Sequence, residues 1–170
     1  MARYFGDLLG NWIAGYNRAT VTRARLLLLL LSVASLPCGV QAKQFAIVAD
    51  KANATSNLTA SELVKILNAH NRTWPDGKPI TLVMRDPSST EMQLVLRKLL
   101  NMTPEQAHVF VVAHRGAIIV ADSDDAVLRF VSSSHGALGI VDLYSLTQDV
   151  NVLKIDGKLP VEQGYLLRGN

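Results

Sequence analysis

Arg85, Ser88, Ser89 and Thr90 fall close together in the stretch MRDPSSTEM, and their types and spacing suit the holding of an anion. The start of a helix presents unpaired N–H groups and the positive end of the backbone dipole. Hydroxyls at that point add donors, and an arginine on the preceding strand adds a charge, so oxyanions favour such places. The same hydroxyls also suit ordinary helix capping. Spacing alone leaves both readings open.

The elements that must position these residues are legible around them. Ile80, Leu82, Val83 and Met84 form an apolar run of strand length, closed by Arg85-Asp86-Pro87. Pro87 disfavours helix in the residue before it, so the chain stays extended until Ser88. Ser88 is then the expected helix cap, with Glu91 three residues on as its capping-box partner. Met92, Val95, Leu96 and Leu99 share one helix face.

The first part of the chain reads as a targeting segment. Residues 1–25 carry Arg3, Arg18, Arg23 and Arg25 against one acid, Asp7. Leu26 to Leu36 is apolar, Pro37 follows, and Val40-Gln41-Ala42 sets small residues where a signal peptidase reads. That order predicts a secretory signal over residues 1–42 and a domain over residues 43–170. The apolar run of 11 residues is shorter than the roughly 20 that span a bilayer, and an uncleaved anchor is the alternative. Cys38 offers a lipoprotein site, to which Pro37 is a poor fit.

The leader also holds the excess charge. Beyond residue 42, seven lysines and six arginines balance thirteen acids. No basic footprint for nucleic acid or an anionic membrane remains there. Cys38 is the only cysteine, so the expected domain has no disulfide and relies on its core.

Taken in order, Gln44–Ala49 predicts a first strand and residues 50–58 a loop. Thr59 and Glu62 predict a capping box for a helix to about Asn68. Trp74-Pro75-Asp76-Gly77 is a turn signal. Thr103-Pro104, with Gln106, opens another helix. Its end is open, because Val109–Val112 also suits a strand. Ala117–Val120 reads as a strand, Ser123 caps a helix through Val131, and Ala137–Val141 is a strand. Val150–Ile155 and Tyr165–Leu167 read as late, short strands. Strands alternating with helices predict an α/β domain with a largely parallel sheet.

Other constellations fail. His70, His108, His114 and His135 show no metal-ligand spacing. Asp122-Ser123-Asp124-Asp125 begins like a calcium loop, but Val127 stands where glycine is needed. No G-x-S-x-G, phosphate loop or dinucleotide fingerprint occurs, so neither an enzyme nor a cofactor is expected. Asn53, Asn57, Asn71 and Asn101 stand in N-x-Thr sequons, and turn formation accounts for them.

The segments FAIVADKANATSNLTASELVKIL, TWPDGKPITLVMRDPSST, SSSHGALGIVDL, VLKIDGKLP and GYLL occur in that order over most of residues 44–167. Together they resemble the bacterial periplasmic phosphate-binding proteins of ABC transporters, and specifically their second lobe in a short, single-lobe form. The resemblance implies a single lobe of a periplasmic-binding-protein-like fold, with a mostly parallel central sheet flanked by helices. It implies a periplasmic, solute-binding-like protein that takes phosphate or a related oxyanion and serves ABC-type phosphate uptake.

In that family a Ser-Gly-Thr-Arg sequence at a helix start grips phosphate. The counterpart here is Ser88-Ser89-Thr90-Glu91, with Ser89 in place of the glycine and Glu91 in place of the arginine. Arg85 is the residue placed to substitute for the missing cation. The first lobe's ligand loops have no counterpart, which leaves an envelope protein partner or a homodimer open. The alternative is a ligand-free interaction module of the cell envelope that kept the fold and lost the site.

Overall fold

A computed structural model describes residues 43–168, so the expected signal segment lies outside the described residues. β1 (Phe45–Asp50) is buried along its whole length. Burial on both faces explains its unbroken apolar run. Residues 50–58 are not all loop, because Asn57–Leu58 forms a short strand, β2. α1 (Ala60–Leu67) begins at Thr59 with the expected capping box to Glu62. Then come β3 (Thr81–Arg85) and α2 (Thr90–Leu100), the strand and helix that bear the candidate site. α2 ends at Asn101, whose left-handed backbone (φ 52°) caps it.

α3 (Pro104–Ala113) carries Pro104 in its first turn and the Thr103–Gln106 capping box. The Val109–Val112 run is helix, an outcome the periodicity had left open. β4 (Ile118–Ala121), α4 (Asp124–Ser133) and β5 (Ala137–Asp142) follow as expected, α4 being capped by Ser123. The late apolar run divides into β6 (Val150–Val152) and β7 (Lys154–Ile155). Leu153 between them donates its N–H to the Ile47 carbonyl at 2.9 Å.

Five strands form one sheet in the order β4-β3-β5-β1-β6. β3 runs parallel to both β4 and β5, whereas β1 is antiparallel to β5 and β6. Four strands therefore point one way and β1 alone opposes them. β2 and β7 make a separate parallel pair. Tyr165–Leu167 is not the strand its composition suggests. Turns at Gly164 and after Tyr165 keep it irregular; the Phe45 N–H to Leu167 carbonyl bond (3.1 Å) ties it to β1, and an isolated bridge joins Arg168 to Gln44.

Side chains alternate across the sheet, as the pleat requires. Ile47, Leu82, Met84, Leu138 and Ile140 face one core with α1, α2 and α3. Val48, Val83 and Val141 face the other with α4. The result is a helix–sheet–helix sandwich that leaves the carboxyl ends of β3 and β5 open beside the start of α2.

Candidate functional site

At that open end lies a cleft of about 280 Å³, lined among others by Lys43, Arg85, Glu91, Asp124, Asp142 and Ser145. The pleat turns Leu82 and Met84 into the core and leaves Arg85, the last residue of β3, partly exposed at the mouth. Its Nε lies 3.9 Å from Asp124 Oδ1. Asp124 is itself fixed, because its Oδ2 accepts from the Asp142 N–H at 3.0 Å and from Ser145 Oγ at 2.8 Å. Glu91, in the first turn of α2, pairs with Lys43. The Lys43 ammonium, then Glu91's own backbone N–H, hold the Glu91 carboxyl below its ordinary value, and the Lys43 and Arg85 charges add to the effect.

The hydroxyls fall differently from the sequence expectation. Ser88 does not cap α2 and makes no capping box with Glu91. Ser89 is the cap, and its Oγ accepts from the Met92 N–H at 3.3 Å. The reason is Asp86. Its Oδ1 accepts the Ser88 N–H and the Ser88 hydroxyl, both at 2.7 Å, closing a tight turn that delays the helix by one residue. The Ser88 hydroxyl, then its N–H, hold the Asp86 carboxyl below its ordinary value. Ser89 Oγ also donates to the Asp86 carbonyl at 2.7 Å. Thr90 is exposed.

Of the four residues singled out in the sequence, Arg85 lines the cleft; Ser88, Ser89 and Thr90 stand on the turn beside it and do not line it. Lys43, Asp124 and Ser145 were missed. Asp124 carried a signal, an acid at a helix start, that capping had already absorbed. Lys43 adjoins the expected cleavage point, and its approach to Glu91 is purely tertiary. Among the described residues no group of three or more His, Cys, Asp or Glu is placed to hold a metal ion. No helix there is long and apolar enough to cross a membrane.

This architecture is that of a single lobe of a periplasmic-binding-protein fold. An ABC-type phosphate transport receptor from Vibrio cholerae superposes with a TM-score of 0.65 at 20% identity, covering 76% of this chain and 55% of that one. PstS from Borrelia burgdorferi gives 0.65 at 23% identity, with coverage of 76% and 56%. A putative phosphate ABC transporter substrate-binding protein with bound phosphate, from Clostridium perfringens, gives 0.60 at 18%, with coverage of 71% and 48%. The chain thus spans about half the length of the solved structures it matches. No protein-family model matches the sequence, and no curated protein matches it significantly.

Proposed function

We propose that this chain is an exported, solute-binding-like protein that takes phosphate or a related oxyanion in connection with ABC-type phosphate uptake. The observation that carries this reading is the position of Arg85. Its guanidinium borders a cleft at the carboxyl edge of the sheet, where open α/β sheets take ligands. Lys43 supplies a second cation, and the hydroxyls of Ser88, Ser89 and Thr90 stand at the adjoining helix start. The chain binds and does not catalyse. Residues 1–42 act as a cleavable signal, the product is periplasmic, and its mass should correspond to a start at or near Lys43. Calorimetric titration with phosphate and with sulfate tests the binding. Heat with phosphate that disappears in Arg85→Ala supports it, and no heat with either anion removes it.

A second reading has its own observation. Each cation of the cleft already faces a carboxylate, Lys43 with Glu91 and Arg85 with Asp124, and Asp86 takes the donors of Ser88. Internal carboxylates occupy the donors that an anion would use. In this reading the chain is a ligand-free module of the cell envelope that docks to another protein. Absence of any heat in the titration favours it.

A further inference from the structure

The sheet stops at β4, and nothing among the described residues pairs with its outer edge. Backbone groups of successive strand residues point to opposite sides. The Leu82 N–H bonds the Ala117 carbonyl at 2.8 Å, so residues 117, 119 and 121 address β3 while Ile118 and Val120 address the outside. The His114 carbonyl takes the Ile118 N–H at 3.0 Å. That leaves the Ile118 carbonyl and both backbone groups of Val120 open among the described residues.

Edge strands in soluble proteins are usually guarded by a charge, a proline or a bulge. Ile118–Ala121 reads IIVA and has no such guard. Its shortness is a partial one, but apolar surface continues past the strand. Val120 is 44% exposed, and Val112 and Val109 on α3 are 42% and 67% exposed. α3 is apolar on most sides yet buries only Ala107 and Val111, where a helix of that composition belongs in an interior.

We infer that this edge is a self-association surface, on which β4 of a second copy pairs antiparallel to β4 about Val120. Charge selects that occupant. A two-fold axis sets the amino end of each strand beside the carboxyl end of the other. Arg115 precedes β4 and Asp122 follows it, both exposed, and neither holds an ion pair among the described residues. The antiparallel pair brings Arg115 of each copy toward Asp122 of the other, twice over, whereas a parallel pair sets like charges together. Val120 is the centre because it alone offers an open N–H and an open carbonyl, which two copies exchange. The Ile118 carbonyl then faces Asp122 of the second copy, and Val112 and Val120 are covered.

Sedimentation velocity of the purified protein, from micromolar to millimolar concentration, should show the mass doubling. Val120→Lys sits at an exposed position and should keep the wild-type melting temperature while remaining a single chain throughout. If that variant misfolds, Val112→Glu serves the same purpose from α3. Arg115→Asp should weaken the dimer about ten-fold, because it turns two attractions into two repulsions. Adding Asp122→Arg should restore it. A single-chain mass at all concentrations, or a dimer unaffected by both valine variants, overturns the surface. Failure of the double charge reversal to recover the affinity lost in Arg115→Asp overturns the antiparallel arrangement.

Discussion

The Gly136 N–H donates to Asp50 Oδ2 at 3.0 Å, joining residues 86 positions apart. Asp50 ends β1 and Gly136 immediately precedes β5, so the bond closes one end of the antiparallel β1–β5 pair. Asp50 Oδ1 accepts the Ala52 N–H at 3.0 Å and lies 3.2 Å from His135 Nδ1. Asp50 is the buried charge of the described core, at 3% exposure.

Burial pushes the Asp50 carboxyl up, but Gly136, His135 and Ala52 together outweigh it and leave the value below the ordinary 3.8. A folded value below the unfolded one means the unfolded chain binds the proton first as pH falls. The stability from Asp50 is therefore complete above pH 3.8 and fades as pH drops toward the lower folded value. Asp50→Asn should cost about 1–3 kcal/mol at neutral pH. It should also flatten the acid limb of stability against pH. Urea unfolding at a series of pH values reads both. An unchanged acid limb would assign the acid sensitivity to other carboxylates.

Gly136 should tolerate no side chain. Its φ is +87°, and a Cβ there would stand 2.4 Å from the Pro79 carbonyl oxygen. Backbone cannot yield as a side chain can, and the positive φ adds strain. The Gly136 carbonyl also accepts from Trp74 Nε1 at 3.0 Å and from the Thr81 N–H at 3.2 Å, so displacement breaks those bonds too. Gly136→Ala should cost roughly 3 kcal/mol or more. Gly139 is the control. A Cβ there meets methyl groups of Val131, Val127 and Val48 at 2.8–2.9 Å, and that overpacking should cost about 1–3 kcal/mol. A urea midpoint lowered more by Gly139→Ala than by Gly136→Ala would contradict this ranking.

Tyr165 should be improved by losing its hydroxyl. The ring is 3% exposed and helps fill the main core, yet the hydroxyl has no hydrogen-bond partner. Burial raises the phenol pKa far above the ordinary 10.0; the Ile47 backbone lies near the hydroxyl and offsets part of this, but it falls short of hydrogen-bond geometry. The unfolded chain thus ionises first on the alkaline side, and stability falls as pH rises above 10.0. Tyr165→Phe should unfold at the same temperature or higher at pH 7, because an unsatisfied buried hydroxyl costs about 1–3 kcal/mol. It should also lose part of the alkaline instability. A clear drop in melting temperature would mean that the hydroxyl is bonded.

Much of this fold is written in local pattern. The strands at β1, β3, β4 and β5 are apolar runs bounded by turn residues, and three of the four helix caps stand where Thr59, Thr103 and Ser123 predict them. The fourth fails because two signals overlap. Ser88 and Ser89 can each cap, and only the Asp86 turn decides between them. Ser89→Ala should cost about 1 kcal/mol through the lost cap. Ser88→Ala keeps the backbone bond to Asp86 and should cost less. Equal losses in thermal melts would restore Ser88 as a second cap. Tyr165–Leu167 and Asn57–Leu58 were misread for a different reason. Their conformations come from partners distant in sequence, which no local period encodes. The cleft's ion pairs are illegible for the same reason, since Lys43 and Glu91 stand 48 positions apart.

The Lys43–Glu91 pair sets part of the charge balance of the cleft. The lining residues Lys43 and Arg85 face the acids Glu91, Asp124 and Asp142, so an entering oxyanion meets one carboxylate more than it meets cations. Asp124 is tied to Asp142 and Ser145, and Asp142 caps the turn after β5 through the Tyr144 N–H. Glu91 is the acid that can be neutralised at least structural cost. Glu91→Gln releases Lys43 and removes the repulsion, and Glu91→Arg adds a donor of the bidentate kind. One charge-assisted hydrogen bond is worth roughly 1.5–3 kcal/mol, so phosphate should bind about ten-fold tighter to Glu91→Arg than to the wild type. Glu91→Gln should fall between them. Mild acid does not imitate the substitution, because Glu91 titrates below its ordinary 4.5 and stays ionised at pH 5. Calorimetry of the three proteins with phosphate, and of Glu91→Arg combined with Arg85→Ala, separates the readings. Tightening that vanishes with Arg85→Ala identifies the cleft as the anion site. Titrations that stay silent for every variant leave the Lys43–Glu91 pair as a structural clasp, and the docking module as the function to pursue.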